Sequence, residues 1–577
     1  MAKFAKISGA ICAAVLVGCN ISDPPPFDPV GIQTSERERS REVESRPKRP
    51  LPTTLESPFL ITNNANTPAP STMPTTGPAL EADAILQLSL QEITHRAVAS
   101  NLDVKVAGYQ PAIDETRVTE AQANFDPTFF QNLQASRQDQ QNGFGFGTSN
   151  AHTISSQTGL RQNLESGGQI EIRNDVSWTE PRTFTTIFAD PTNGVKQHKV
   201  AREQFWTNDL ILDVTQPLMR NLGNEINRAR ITVARNNQRI SVLDFRKQLE
   251  TTTSTVERTY WQLVAAVAEV KITEDLLQRT IDTADVLYKR RGQDVTRVQL
   301  SQANASIESR RATLIRAKAH VRDLSDQLKQ LMNDPDLPVS SGTLILPANA
   351  PLEEPVRFDL KDQIDTALEN RLELGQQQYK IDTQDITLKV AKNNLLPRLD
   401  AVGTIDIQGL DQDFGSALSN EVGNKNFTAS LGLQFEIPIG NREARSIYRR
   451  AQLQRQQSID QYRALIEQIS LDVKTALREV DTTWEEMVAT RQARFAATDE
   501  LLAIEQRQEG GEALTPTFVQ LKLDTQERFA QARTSEVEAT SNYNIAISQL
   551  ELKKGTLLRY NNIVMQEDNL PGSYRVK

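Results

Sequence analysis

Cysteine and histidine are the side chains that most often do chemistry, and here they are few: Cys12, Cys19, His95, His152, His198 and His320. No two of them stand at a metal-ligand spacing, so no metal centre is expected. Gly143-Phe144-Gly145-Phe146-Gly147 is glycine-rich, but no helix follows it to offer amides to a phosphate. No Ser/His/Asp set and no carboxylate pair can be argued from spacing, so neither an enzyme nor a cofactor is expected. Two chemistries remain. The Cys19 thiol ends an apolar run. Carboxylates recur near glycines: Asp282 and Asp285 at i and i+3 ahead of Gly292, and Asp499, Glu500, Glu505 and Glu509 ahead of Gly510. Copies of such a carboxylate facing one another would repel and favour bound cations.

The elements that position these groups begin with the first 19 residues. Lys3 and Lys6 precede an apolar stretch from Ile7 to Val17, which ends in Leu16-Val17-Gly18-Cys19. That stretch is too short to span a bilayer and reads as a signal peptide over 1–18. Its ending resembles the lipobox of bacterial lipoproteins. The resemblance implies cleavage before Cys19, diacylglycerol on its sulfur and, with Asn20 following, sorting to the outer membrane. Residues 19–80 are rich in Pro, Ser, Thr and Arg and read as a lipidated, disordered linker. Beyond them no run approaches 18 apolar residues, so a membrane crossing would have to be a β-barrel. The net charge is −9 with both signs mixed along the 577 residues and no basic patch, which argues against nucleic acid as a partner.

From about residue 82 the sequence repeats. Asn124-Phe125-Asp126-Pro127 faces Asn394-Leu395-Leu396-Pro397, Gln216-Pro217 faces Ile437-Pro438, Tyr260-Trp261 faces Thr483-Trp484, and Val298-Gln299-Leu300 faces Val519-Gln520-Leu521. The first repeat spans 81–358 and the second 359–560, with a tail over 561–577. Each reads helix, strands, very long helix, glycine turn, helix, and Pro127, Pro217, Pro397 and Pro438 mark the helix–strand junctions. In the long helices Leu249, Val256, Leu263, Val270, Leu277 and Ala284 recur every seven residues, as do Leu300, Ile307, Leu314, Val321 and Leu328. Val473, Val480, Met487 and Leu501 keep the period, with Arg494 as the exception; Glu274 breaks the row beside Tyr260, Val267 and Ile281. A 3.5-residue period held this long predicts coiled-coil packing.

The strand regions alternate with period two. Phe427, Ala429, Leu431, Leu433 and Phe435 share one face against Asn426, Thr428, Ser430, Gln434 and Glu436; Leu399, Ala401, Ile405 and Ile407 oppose Arg398, Asp400, Thr404 and Asp406. Strands apolar on one face and charged on the other suit a wall with lipid outside and water inside. Residues 409–425 between them read as an exposed loop. In the first repeat, segments at Phe129–Ala135 and Trp206–Val214 flank an extra hairpin, 154–164 and 170–178, turned at Glu165-Ser166-Gly167-Gly168. The residues leave open whether this hairpin joins the wall.

The repeat, the Gln216-Pro217-Leu218 exit from the strands, the glycine-bearing turns and the ending Gln549-Leu-Glu-Leu-Lys-Lys-Gly-Thr-Leu557 together resemble the TolC-like outer-membrane efflux protein family, over residues 80–560. The fold class implied is mainly α with a transmembrane β-barrel part: a tandem-repeat protomer of long coiled-coil helices plus β-hairpins, forming a trimeric α/β-barrel channel. The family pattern implies four strands per protomer and twelve in the barrel; six would give eighteen. The resemblance further implies a homotrimer, lipid-anchored in the outer membrane with helices reaching into the periplasm. It would be the passive conduit of a tripartite efflux pump or type I secretion system. Its partners would be outer-membrane lipid, a periplasmic adaptor protein and an inner-membrane transporter. The adaptor would dock at the tip turns Arg291, Gly292, Gln293 and Gly510, Gly511, Glu512, and the gate acids would be Asp282, Asp285, Asp499 and Glu500. The rival reading is a periplasmic adaptor or structural coiled-coil lipoprotein, which shares anchor and hairpins but needs no amphipathic strands. Replacing Cys19 by Ser is expected to abolish incorporation of labelled palmitate in a bacterial host; a variant that still takes up the label would remove the lipid-anchor reading.

Overall fold

A computed structural model describes residues 84–141, 148–190, 194–200, 203–292, 295–423 and 426–563. Cys19, the signal peptide, the linker, the glycine-rich 143–147, Gln293 and most of the tail lie outside the described residues. In chain order the elements are β1 (Ala84–Leu88), α1 (Leu90–Ser100), α2 (Leu102–Gln122), β2 (Thr128–Gln141), β3 (Thr148–Asn163), β4 (Gln169–Asp190), β5 (Gly194–Val200), β6 (Phe205–Pro217), α3 (Ala229–Lys289), α4 (Arg297–Met332), β7 (Thr343–Pro347), α5 (Leu360–Asn370), α6 (Leu372–Asn393), β8 (Arg398–Asp411), α7 (Phe414–Val422), β9 (Asn426–Glu436), α8 (Arg442–Glu509) and α9 (Pro516–Lys554). The order helix pair, strands, long helix, helix thus occurs twice. At 1.5 Å per residue, α3 with 61 residues and α8 with 68 each run for roughly 90–100 Å.

The contacts divide the chain into two compact units. One comprises the described residues up to Ala112, with Phe245–Asn370 and Leu471 onward. It is helical apart from one two-stranded parallel sheet, β1 on β7, which the sequence reading did not anticipate. Its main core joins the heptad rows: Val256, Leu263 and Val270 of α3 meet Leu314, Val321 and Leu328 of α4, and Leu88, Leu344 and Ile345 of the small sheet. Tyr260 lies at the centre, fully buried, accepting from the Asn349 amide at 2.9 Å and donating to the Asn349 side chain at 3.0 Å. The two breaks in the heptads are ion pairs. Glu274 holds Lys318 of α4 at 2.7 Å, and Arg494 joins Arg491 on Glu536 of α9, whose side chain is 4% exposed.

The second unit comprises Ile113–Asp244 and Arg371–Ser470. It contains a seven-stranded sheet in the order β2-β3-β4-β6-β8-β9, with β5 paired to the outer half of β4. All the pairings are antiparallel. The extra hairpin of the first repeat is therefore the middle of the sheet: β3 and β4 stand between β2 and β6. The loop expected over 409–425 is corrected: β8 continues to Asp411 and a helix, α7, follows. Asp413 caps it, its carboxylate accepting from the Gly415 and Ser416 amides at 2.9 and 3.3 Å. Gly409 lets the helix lie directly on the sheet, because a Cβ there would meet the Ala417 carbonyl oxygen at 2.0 Å.

Glu257 of α3 is 2% exposed and accepts from Asn561, with the Glu551 carboxylate nearby. Burial first, and then that neighbouring charge, raises its pKa. A carboxyl raised in the folded state binds its proton more tightly there than in the unfolded chain. Its cost is thus absent below the unfolded carboxylate range, grows as pH rises, and is complete above the folded value. Glu257→Gln is expected to raise the thermal midpoint at about pH 8 and leave it unchanged at about pH 4; an equal shift at both would refute the buried-charge account.

Candidate pore wall and helix-turn tip

The pairing registers set each sheet face strand by strand. One row runs Phe129–Leu160–Ile172–Leu212–Ile405–Ala429 across β2, β3, β4, β6, β8 and β9. The next row toward the β9 end is Ile170–Val214–Gly403–Leu431, followed by Ala401–Leu433 and Leu399–Phe435. This face is exposed: Leu431 is 88% accessible, Leu433 71%, Leu133 62% and Ile172 49%. So wide an apolar surface left in water would associate or aggregate. The opposite face carries Thr128–Arg161–Glu171–Asp213–Thr404–Ser430 in the matching row. There Arg161 holds Glu171 at 2.7 Å, and Arg173 reaches Glu171, Asp175 and Asp213 at 3.0, 3.1 and 2.8 Å. Thr404 donates to Asp213 at 2.7 Å. A sheet wetted on one face and oily on the other fits lipid outside and water inside.

Helix α7 covers part of the oily face. Two asparagines there, Asn174 and Asn208, are turned to Glu421, and Phe414 meets Trp206 edge-on with centroids 5.3 Å apart. The two side-chain amides under the helix thus share one carboxylate.

The four prolines stand where helix gives way to strand. Pro127 precedes β2, Pro217 ends β6, Pro397 precedes β8 and Pro438 follows β9. The Leu218 amide donates to the Leu399 carbonyl at 2.7 Å, tying the exit of one repeat to the entry of the other. At the turn of the β3–β4 hairpin, Gly167 has φ +95°, and a Cβ would lie 2.1 Å from the Asn221 carbonyl oxygen. Asn163 and Gln162 donate to the Asn124 and Phe125 carbonyls, each at 3.1 Å, so the hairpin base is stitched to the junction before β2.

The helix turns lie in the other unit. Past Lys289, Gly292 has φ +90°, and Thr296 with Gln299 forms a capping box at the start of α4. At the end of α8, Gly511 has φ +87°, whereas Gly510 continues the helical pattern by donating to Gln506 at 2.8 Å. Arg507 grips Glu512 with two bonds of 2.7 and 2.6 Å, which hold the Glu512 carboxyl below its usual range. The two turns pack on each other. Gln299 is fully buried and donates to the Leu514 carbonyl at 2.7 Å, and Leu287, Leu300 and Ala303 pack with Ile504, Phe518 and Leu523. Arg291 is exposed beside Gly292.

The acids nominated from sequence take different situations. Asp282, Asp285 and Asp499 are exposed, and Asp282 accepts from Gln278 at 2.9 Å. Glu500 bonds Arg528 within its own hairpin. The ties between the two hairpins are cationic groups that sequence reasoning missed. Arg279 of α3 holds Glu505 of α8 at 3.0 Å, and Arg533 of α9 holds Asp275 of α3 at 3.0 Å. Arg310 of α4, 7% exposed, bonds Glu527 at 3.1 Å and the Leu523 carbonyl at 2.8 Å, together with Thr280. A heptad gap filled by Arg is the one visible signal for such a tie, and Arg310 leaves it, standing in the row of sevens with Ala303, Ala317, Leu324 and Leu331.

The two arginines should differ in weight. Arg310→Ala strands several buried acceptors and is expected to cost about 2–4 kcal/mol. Arg279→Ala breaks an exposed pair and should cost less than about 1 kcal/mol. Urea unfolding of both variants checks this; equal losses would contradict it.

Residues 363–556 match the outer membrane efflux protein family. No curated protein matches the chain. Solved structures share its fold. The Campylobacter jejuni outer-membrane channel CmeC superposes with a TM-score of 0.57 at 16% identity, covering 91% of this chain and 96% of its own. CusC gives 0.58 at 14%, covering 81% and 92%. The Vibrio cholerae outer membrane protein VceC gives 0.55 at 16%, covering 81% and 96%. Residues 363–556 thus resemble the outer membrane efflux protein family, and the chain takes the fold of the solved outer-membrane channels.

Proposed function

We propose that three copies of this chain close into an outer-membrane duct, anchored by lipid on Cys19, which passes solutes passively from an inner-membrane transporter and its periplasmic adaptor to the exterior. One observation carries this reading: the in-register apolar row from Phe129 to Ala429, uncovered by any helix layer except at α7. A coiled-coil adaptor has no use for such a face, so the rival reading is disfavoured. The edge strands β2 and β9 have no second neighbour in one chain, and unpaired backbone groups are costly in hydrocarbon, so partner chains must supply neighbours. The chain performs no chemistry on its cargo in this reading.

The adaptor would dock on the turns at Arg291, Gly292 and Gln293 and at Gly510, Gly511 and Glu512. Gly292 and Gly511 hold left-handed backbone there, which lets each reversal stay short. Asp282, Asp285, Asp499 and Glu500 would contribute acids to the lumen near the tip. The Arg279–Glu505 pair, tying one hairpin to the other, would help hold the tip closed.

Purified protein in planar bilayers is expected to give stepwise conductance. Arg279→Glu should lengthen its open time, by repelling Glu505. Electrical silence from a protein that has inserted into the bilayer would sink the duct reading; unchanged gating in the variant would remove only the latch.

A further inference from the structure

We infer that the membrane wall is built from eighteen strands, six from each copy. The inference rests on the trimeric duct proposed above. Within one chain β3 and β4 are the central strands of the sheet, hydrogen-bonded on both sides, and not an appendage to it. Leu160 and Ile172 continue the apolar row of the strands beside them, so both belong to the same lipid-facing surface. The base of the hairpin is fixed to the helix–strand junction by Asn163 and by the close approach of Gly167 to Asn221. Six is also an even number. Neighbours alternate in direction along the path, so β2 and β9 run oppositely, and β9 of one copy can pair antiparallel with β2 of the next.

The occupant of each open edge is therefore a second copy of this chain, and the wall is incomplete without it. Strands about 4.8 Å apart and tilted about 40° each take up roughly 6 Å of circumference. Eighteen then give a wall about 36 Å across between backbones, against about 24 Å for twelve. With side chains filling a few ångströms on each side, the wider ring leaves an open aqueous core.

Counting strands by electron cryomicroscopy of the detergent-solubilised trimer tests this directly. Eighteen is the expected number; twelve, with the 148–190 hairpin outside the wall, overturns the inference. Cysteine pairs test it independently of imaging. Phe129→Cys with Leu160→Cys, directly opposed in register across β2 and β3, should form a disulfide in the folded protein. Phe129→Cys with Leu212→Cys, three strands apart, should not. The reverse outcome would mean that β2 pairs β6 directly and the hairpin is excluded. A conducting trimer with twelve strands would leave the duct standing and remove only this inference. A monomer that does not conduct would remove both.

Discussion

A peptide group in hydrocarbon has no water to bond, so every amide and carbonyl of a membrane wall must find a partner in protein. That requirement organises the strand-bearing unit. Among the described residues its sheet pairs β3, β4, β6 and β8 on both sides and leaves β2 and β9, with the short β5, an open side. The same requirement accounts for the company that polar side chains keep on the oily face. Asn174 and Asn208 meet Glu421 beneath α7, and Gly409 supplies the clearance that brings this helix close enough. On the wet face no such economy operates, and Arg173 sits among three carboxylates in contact with solvent.

The helical unit answers a different demand. Long helices with a narrow apolar stripe have little intrinsic reason to choose one neighbour or one register over another. Here the choice is made by polar groups set into the stripe. Tyr260 bridges α3 to Asn349, Gln299 crosses from one turn to the other, and Arg310 of α4 reaches both α3 and α9. Removing one partner from such a site leaves a buried donor or acceptor unpaired, which is why these positions outweigh exposed pairs like Arg507–Glu512.

Much of this was legible in the sequence. The heptad rows at Leu249–Ala284 and Leu300–Leu328 are core because a 3.5-residue period can face a neighbour in only one way. Strands β8 and β9 were readable because a lipid-facing surface enforces strict alternation. The four proline junctions stood out because proline cannot donate to a helix or a ladder. What escaped was non-local. Strand β1 has five residues and its partner lies some 260 positions away, so neither half carries a pattern of its own. Helix α7 was hidden because its buried side is Ala417 and Glu421, not an apolar stripe. The ties through Arg279 and Arg533 look in sequence like any solvated base on a long helix, whereas Arg310 interrupts the row of Ala303 and Ala317 and could have been read as a buried tie. The fate of the extra hairpin was also beyond reach, since alternation tells which face a residue takes but not which strand lies next door.

Arg494 occupies a heptad position with Glu536 opposite and Arg491 beside it. Were α8 to slip along α9 by one repeat, that guanidinium would face Phe529 or Tyr543 and a buried carboxylate would lose its counterion. Lengthwise gliding of this hairpin is thereby forbidden, while bending and swivelling about the pair are not.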